Sequence, residues 1–169
     1  MSKPEGKGAV TPSSSAHLGL FLLNNIADVP RDLLPSVRRC LKSVEPYAPR
    51  WLRSVRVMFV TVPDEGEAEY VLQFVGEYEY ERATLKVFAQ WLDYDEQRRR
   101  ESFVHEFGHA LTEPMRDALC TAIDVLAPHG DSAKAEVRAL LIANVKRVQE
   151  TVAEDIKHAI LAAERKGKR

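Results

Sequence analysis

The stretch Phe103-Val104-His105-Glu106-Phe107-Gly108-His109-Ala110-Leu111 decides how the chain is read, because it contains the pattern H-E-x-x-H. On a helix, residues four apart lie one turn above each other on one face, so two imidazoles at that spacing can chelate a single ion without backbone strain. His105 and His109 make that two-point clamp. Glu106 lies about 100° around the helix from His105, near such an ion but off the clamp, where a carboxylate can hold a water and take its proton. Phe103, Phe107, Ala110 and Leu111 recur at i, i+4, i+7 and i+8, which predicts a helix that buries this apolar face. With 5 histidines in the chain, a chance match to the pattern is expected in about one such sequence in a hundred. The flanking periodicity sets the match apart from two ordinary histidines on a polar face.

A tetrahedral catalytic zinc takes three protein ligands and keeps one position open, so the chain must supply a further donor. The metzincin pattern does not supply it, since Thr112 and Met115 stand where Gly and His are required. The C-terminal run offers Glu150, Glu154 and His158 at successive i+4 steps, a stripe that could face the H-E-x-x-H helix across a small bundle. The competing reading of this stripe is a solvated acidic face, with Lys146, Lys157 and Glu164 nearby.

Outward from this helix, the pattern predicts an α+β fold. Residues 1–16 mix Lys, Pro, Gly and Ser with almost nothing apolar and are expected to be a disordered tail. Residues 17–165 are expected to form a single domain. From His17 to Val44 the apolar residues Leu22, Ile26, Leu33, Leu34, Val37 and Leu41 recur at helical spacing, and Pro46 and Pro49 end the run. Val55 to Val62, Ala68 to Val75 and Thr84 to Trp91 read as strands, with a turn at Asp64-Glu65-Gly66 and a hairpin end over Glu77 to Arg82. A small antiparallel sheet is expected, packed with an N-terminal helix, the H-E-x-x-H helix and a C-terminal helical pair. Pro114 and His129-Gly130-Asp131-Ser132 bracket the first of that pair, Met115 to Leu126, and the second runs from Ala133 to Glu164. Asp93 or Asp95 is expected to cap the H-E-x-x-H helix.

Length and charge narrow the function classes. At 169 residues and 19.1 kDa the chain suits one core and is too short for two full enzyme domains. Lys+Arg at 24 against Asp+Glu at 25 gives no field to draw it onto nucleic acid or an anionic membrane. The apolar stretch Leu18 to Leu23 stops at Asn24, short of the ~20 residues of a membrane span and of a secretory signal with its cleavage site, so a cytoplasmic protein is expected. Cys40 and Cys120 read as reduced thiols. Arg98-Arg99-Arg100 reads as a solvated helix face, and Lys166, Lys168 and Arg169 as a frayed end.

The HEFGHAL helix preceded by a short sheet and followed by a helix carrying Glu150-Thr151-Val152-Ala153-Glu154 resembles the zincin metallopeptidases of the gluzincin type, over about Val55 to Ala162. In size the chain is similar to the small stand-alone H-E-x-x-H proteins of phages and prophages. The resemblance implies a third ligand on the following helix and an acid four residues later that orients a histidine. Carried onto this sequence, Glu150 is the ligand and Glu154 the acid, with Glu154 as ligand the alternative. Gln149 stands where the family usually has Asn, and Glu154 where it usually has Asp. The resemblance also implies a strand edge, here Thr84 to Trp91, on which an extended peptide adds itself. A helper that steadies the oxyanion is implied too, with His129, His158 and Tyr94 as candidates.

The function expected is therefore a zinc-dependent metallopeptidase that needs Zn2+ and acts on a peptide or protein substrate, with Glu106 as general base. Neither a nucleic acid nor a membrane partner is expected. The alternatives are a catalytically silent metal-binding regulatory protein and, third, a zinc hydrolase of a non-peptide amide.

Overall fold

The computed structural model describes residues 30–61 and 70–167. The expected tail, the apolar run at Leu18, the helical positions Leu22 and Ile26 and the Asp64-Glu65-Gly66 turn lie outside the described residues. The fold is α+β, with three helices and a small three-stranded mixed sheet. Helix α1 is Leu34–Val44, and Pro35 in its first turn supplies a preset φ where no N–H is needed. It buries Val37, Cys40, Leu41 and Val44. Strands β1 (Ser54–Val60), β2 (Leu72–Glu77) and β3 (Arg82–Phe88) follow.

The sheet order is β1-β3-β2. β3 pairs antiparallel with β2, as the hairpin reading expects, but parallel with β1, so the expected antiparallel sheet is corrected to a mixed one. β3 is therefore the central strand, and the expectation that Thr84 to Trp91 forms an open edge fails. The burial of β3 explains its place: Ala83, Leu85, Val87 and Phe88 are all at most 1% exposed. The strand also ends earlier than expected. Ala89–Asp93 is a 3-10 turn that drives Trp91 into the core, where its indole N–H donates to Ser102 Oγ at 3.1 Å.

Asp95 caps helix α2 (Glu96–Leu126) by accepting from the Arg98 N–H at 2.7 Å. Of the three arginines that follow, Arg98 is exposed as expected, while Arg99 and Arg100 are half-buried and structural. Arg98 stacks over Tyr94, Arg99 donates to the Trp91 and Leu92 carbonyls, and Arg100 bonds to Glu164 and Ser43. Pro114 lies inside α2 and does not break it, so the separate helix expected over Met115 to Leu126 is the second half of α2. A mid-helix proline costs about 3 kcal/mol. Contacts with helix α3 (Ala135–Gly167) hold α2 on both sides of it: Gln149 donates to Thr112 Oγ1 at 3.3 Å before the proline, and Arg138 donates to the Ala127 carbonyl at 3.0 Å after it. Gly130, at φ +87°, makes the turn between the two helices, and Asp131 accepts from the Ala133 N–H.

Both cysteines are free; Cys40 is buried, which raises its thiol to about 11, and Cys120 is half-buried. No helix among the described residues is long and apolar enough to cross a membrane.

The tightest point of the α2–α3 contact is Gly108. A Cβ there would stand 2.9 Å from Ala153 Cα and 3.0 Å from its carbonyl oxygen, backbone atoms that cannot swing aside. An exposed mid-helix Gly→Ala change gains about 1 kcal/mol. Gly108→Ala is instead expected to lower stability by about 1–3 kcal/mol through overpacking, measured by denaturant unfolding. A gain would show that the helices have room to spare.

Candidate metal centre

Helix α2 presents His105 and His109 on the side that turns toward α3, while Phe103, Phe107 and Ala110 enter the core beneath the sheet. The Phe107 ring meets Phe74 of β2 edge-on at 6.1 Å and locks the helix against that strand. Because Gly108 lets α3 approach, its carboxylates reach across. Glu150 Oε2 lies 3.3 Å from His105 Nε2, and Glu150 Oε1 lies 3.6 Å from His109 Nε2. One donor atom from each of His105, His109 and Glu150 falls within 4.8 Å of the others.

These separations suit one small dication. Donors about 2.0–2.1 Å from a tetrahedral zinc stand roughly 3.3–3.4 Å apart. Two neutral imidazoles and a carboxylate are the donor chemistry that a borderline-soft ion takes. Glu154 is placed differently: its Oε2 accepts from His105 Nδ1 at 3.1 Å, and its Oε1 meets Lys157 Nζ at 2.5 Å and His158 Nε2 at 3.2 Å. With Nδ1–H held by Glu154, the Nε2 lone pair of His105 is left facing Glu150. Lys157 chiefly, with His105 helping, holds the Glu154 carboxyl below the usual range.

Glu106 points to the other side of the clamp and accepts from the Phe74 backbone N–H at 3.3 Å. Burial pushes its carboxyl up to about 7; the Phe74 bond opposes the rise and the Glu150 charge adds to it. Burial also lowers His109, favouring the neutral imidazole that a metal needs. Two clefts of about 370 Å³ each meet at Glu106. One lies on the His105 and Glu154 side and is lined by Leu72, Tyr94 and Arg98; the other lies on the His109 and Glu150 side and is lined by Gln73, Gly76, Arg116 and Lys146. Tyr70 borders both.

Of the three oxyanion candidates, Tyr94 lines the first cleft. His158 is exposed and engaged with Glu154. His129 is engaged by Arg138 in the turn between α2 and α3, about five helical turns along α2 from His109, and is removed from the site. The sequence reading missed Glu113, Arg116 and Tyr70, and named Lys146 and Gln149 without giving them a place in the site. Four of these carried a signal: Glu113 and Arg116 extend the His105/His109 stripe at i+4 and i+7, while Lys146 and Gln149 stand one turn before Glu150 and directly beside it. Nothing in the sequence marks Tyr70.

Glu150→Ala is expected to abolish tight metal binding, whereas Glu154→Ala weakens it by about 10- to 100-fold through the freed His105 ring. A chelator-competition titration ranks the two variants, and the reverse order would move the ligand to Glu154. Compared with protein-family models, with curated proteins and with solved structures, the chain matches none.

Proposed function

We propose that the chain is a zinc-dependent metallopeptidase with a zincin-like site. The observation that carries the proposal is the convergence of His105, His109 and Glu150 beside a half-buried carboxylate, Glu106, where two clefts meet. His105, His109 and Glu150 hold the ion, and Glu154 orients His105. When bound, zinc supplies a Lewis acid that acidifies water and polarises a carbonyl.

The chain's own residues do the rest. Glu106, one step around the helix from the clamp, takes a proton from the attacking water and returns it to the leaving amine. The Phe74 N–H fixes one of its oxygens and leaves the other for that exchange.

A peptide is the substrate that the surroundings favour. With β3 in the centre, β2 borders the catalytic helix, and the two clefts run along it on either side of Glu106. In an antiparallel ladder alternate residues turn their N–H and C=O away from the partner strand; Phe74 does so toward Glu106, and Leu72 and Gly76 share its phase. An extended chain laid along this edge crosses the metal centre.

Glu106→Gln is expected to retain zinc and to lose at least about 100-fold in cleavage of an unfolded protein substrate, because the amide keeps the shape but accepts no proton. Zinc content beside turnover checks this. Stoichiometric zinc with no turnover in the unaltered protein would favour the silent metal-binding alternative, and loss of zinc in Glu106→Gln would make Glu106 a ligand.

A further inference from the structure

The cleft on the His109 and Glu150 side of Glu106 carries two cations in its wall, Arg116 of α2 and Lys146 of α3. The helical hairpin formed by α2 and α3 sets them side by side. Gly108 meets Ala153 and Thr112 meets Gln149, so the two helices run antiparallel. Arg116 lies four residues beyond Thr112 and Lys146 three before Gln149, rises of about 6 Å and about 4.5 Å, which bring the two to nearly one height. From His109 to Arg116 is a distance of about 10 Å along α2.

Arg116 is held in place. It donates to the Glu113 carboxylate, whose side chain is only 7% exposed. Glu113 is fixed in turn by β2: a Cβ at Gly76 would stand 2.8 Å from Glu113 Cγ, so a glycine lets the strand lie against it. A guanidinium gripped through one nitrogen by a buried carboxylate keeps its other donors in set directions. Burial does most to keep His109 neutral, and the Arg116 charge adds to it, so this cation is felt at the metal centre. Lys146 has no such grip. Glu150 stands four residues on, the usual ion-pair spacing on a helix, but its carboxylate is turned to His105 and His109. The other acids of the cleft are committed as well, Glu113 to Arg116 and Glu106 to the Phe74 N–H. Lys146 therefore makes no hydrogen bond or ion pair among the described residues. In the first cleft, by contrast, Lys157 is bonded to Glu154.

We infer, on the strength of the peptidase reading, that Arg116 and Lys146 receive a carboxylate of the substrate, so that this cleft selects acidic peptides. A carboxylate set between them meets the remaining N–H groups of Arg116 from one helix and the Lys146 ammonium from the other, a place that no acid of the chain fills. An extended chain advances about 3.3 Å per residue, so along the β2 edge its second or third residue from the cleaved bond comes beside the pair. The carboxylate is then either an Asp or Glu side chain at that position or the end of a chain that stops there. A basic side chain at the same place would meet two cations, so the groups that favour acidic peptides also reject basic ones.

Fluorescence anisotropy of labelled peptides tests this on the intact chain carrying Glu106→Gln and one equivalent of zinc, so that binding is read without cleavage. Peptides with Glu at the second or third place on either side of the centre are compared with their Gln counterparts, and peptides with a free C-terminus with their amides. The carboxylate form is expected to bind about 10-fold or more tightly, by a margin that shrinks as salt is raised. A margin confined to the Glu and Gln pairs makes the side chain the source, and one confined to the free ends makes it the chain terminus. Lys146→Glu is expected to abolish the preference. Arg116→Gln, which keeps a donor for Glu113, should reduce it, with zinc retained in both variants. A preference that survives both substitutions belongs to the ion itself and overturns the inference, as does equal binding of the two forms or none. Turnover of an unfolded protein by the unaltered chain tells this failure from that of the peptidase reading. Cleavage without acid preference removes the carboxylate site alone, whereas acid-selective binding without cleavage keeps that site and removes the peptidase.

Discussion

Gly108 lacks a Cβ, and the room this leaves is taken by the backbone of α3 at Ala153. The contact sets the distance between two long helices whose side chains make the candidate metal centre. With the axes this close, a glutamate on α3 spans to imidazoles on α2, and Glu150 comes within 3.6 Å of both histidines. An added methyl would push the helices apart where the donors need separations of roughly 3.3–3.4 Å to share one ion. The same contact orders the rest of the hairpin, since it fixes which side of each helix turns to the metal centre and which turns away.

The sheet serves the site through one strand. β2 lies between β3 and helix α2, and its Phe74 supplies both the ring that packs on Phe107 and the N–H that holds Glu106. Core packing and the placement of the proposed base therefore depend on one residue. Glu106 is half-buried by this arrangement, and the burial raises its carboxyl.

What could be read in the sequence was whatever depends on a single helix. The clamp of His105 and His109, the off-axis Glu106 and the stripe of Glu150 and Glu154 follow from a period of 3.6 residues, which holds wherever the helix goes. The fates of Pro114 and β3 were not legible, because each is settled by a neighbour. Contacts with α3 on either side carry α2 through the proline, and the central place of β3 comes from a parallel partner with no local turn signal. Arg99 and Arg100 look like part of a solvated run only until Trp91 and Glu164 are placed beside them. Glu113 and Lys146 could have been found by extending the metal stripe by one turn in each helix. Tyr70 reaches both clefts from a non-helical position with no pattern to mark it.

The central claim is that α2 and α3 together hold one metal ion through two imidazoles and one carboxylate. X-ray absorption at the zinc K-edge of protein loaded to one equivalent tests it most directly. The account predicts a first shell of nitrogen and oxygen alone, with the outer-shell scattering of two imidazole rings. Sulfur in that shell, which would bring in Cys40 or Cys120, or scattering from fewer than two imidazoles, would contradict it.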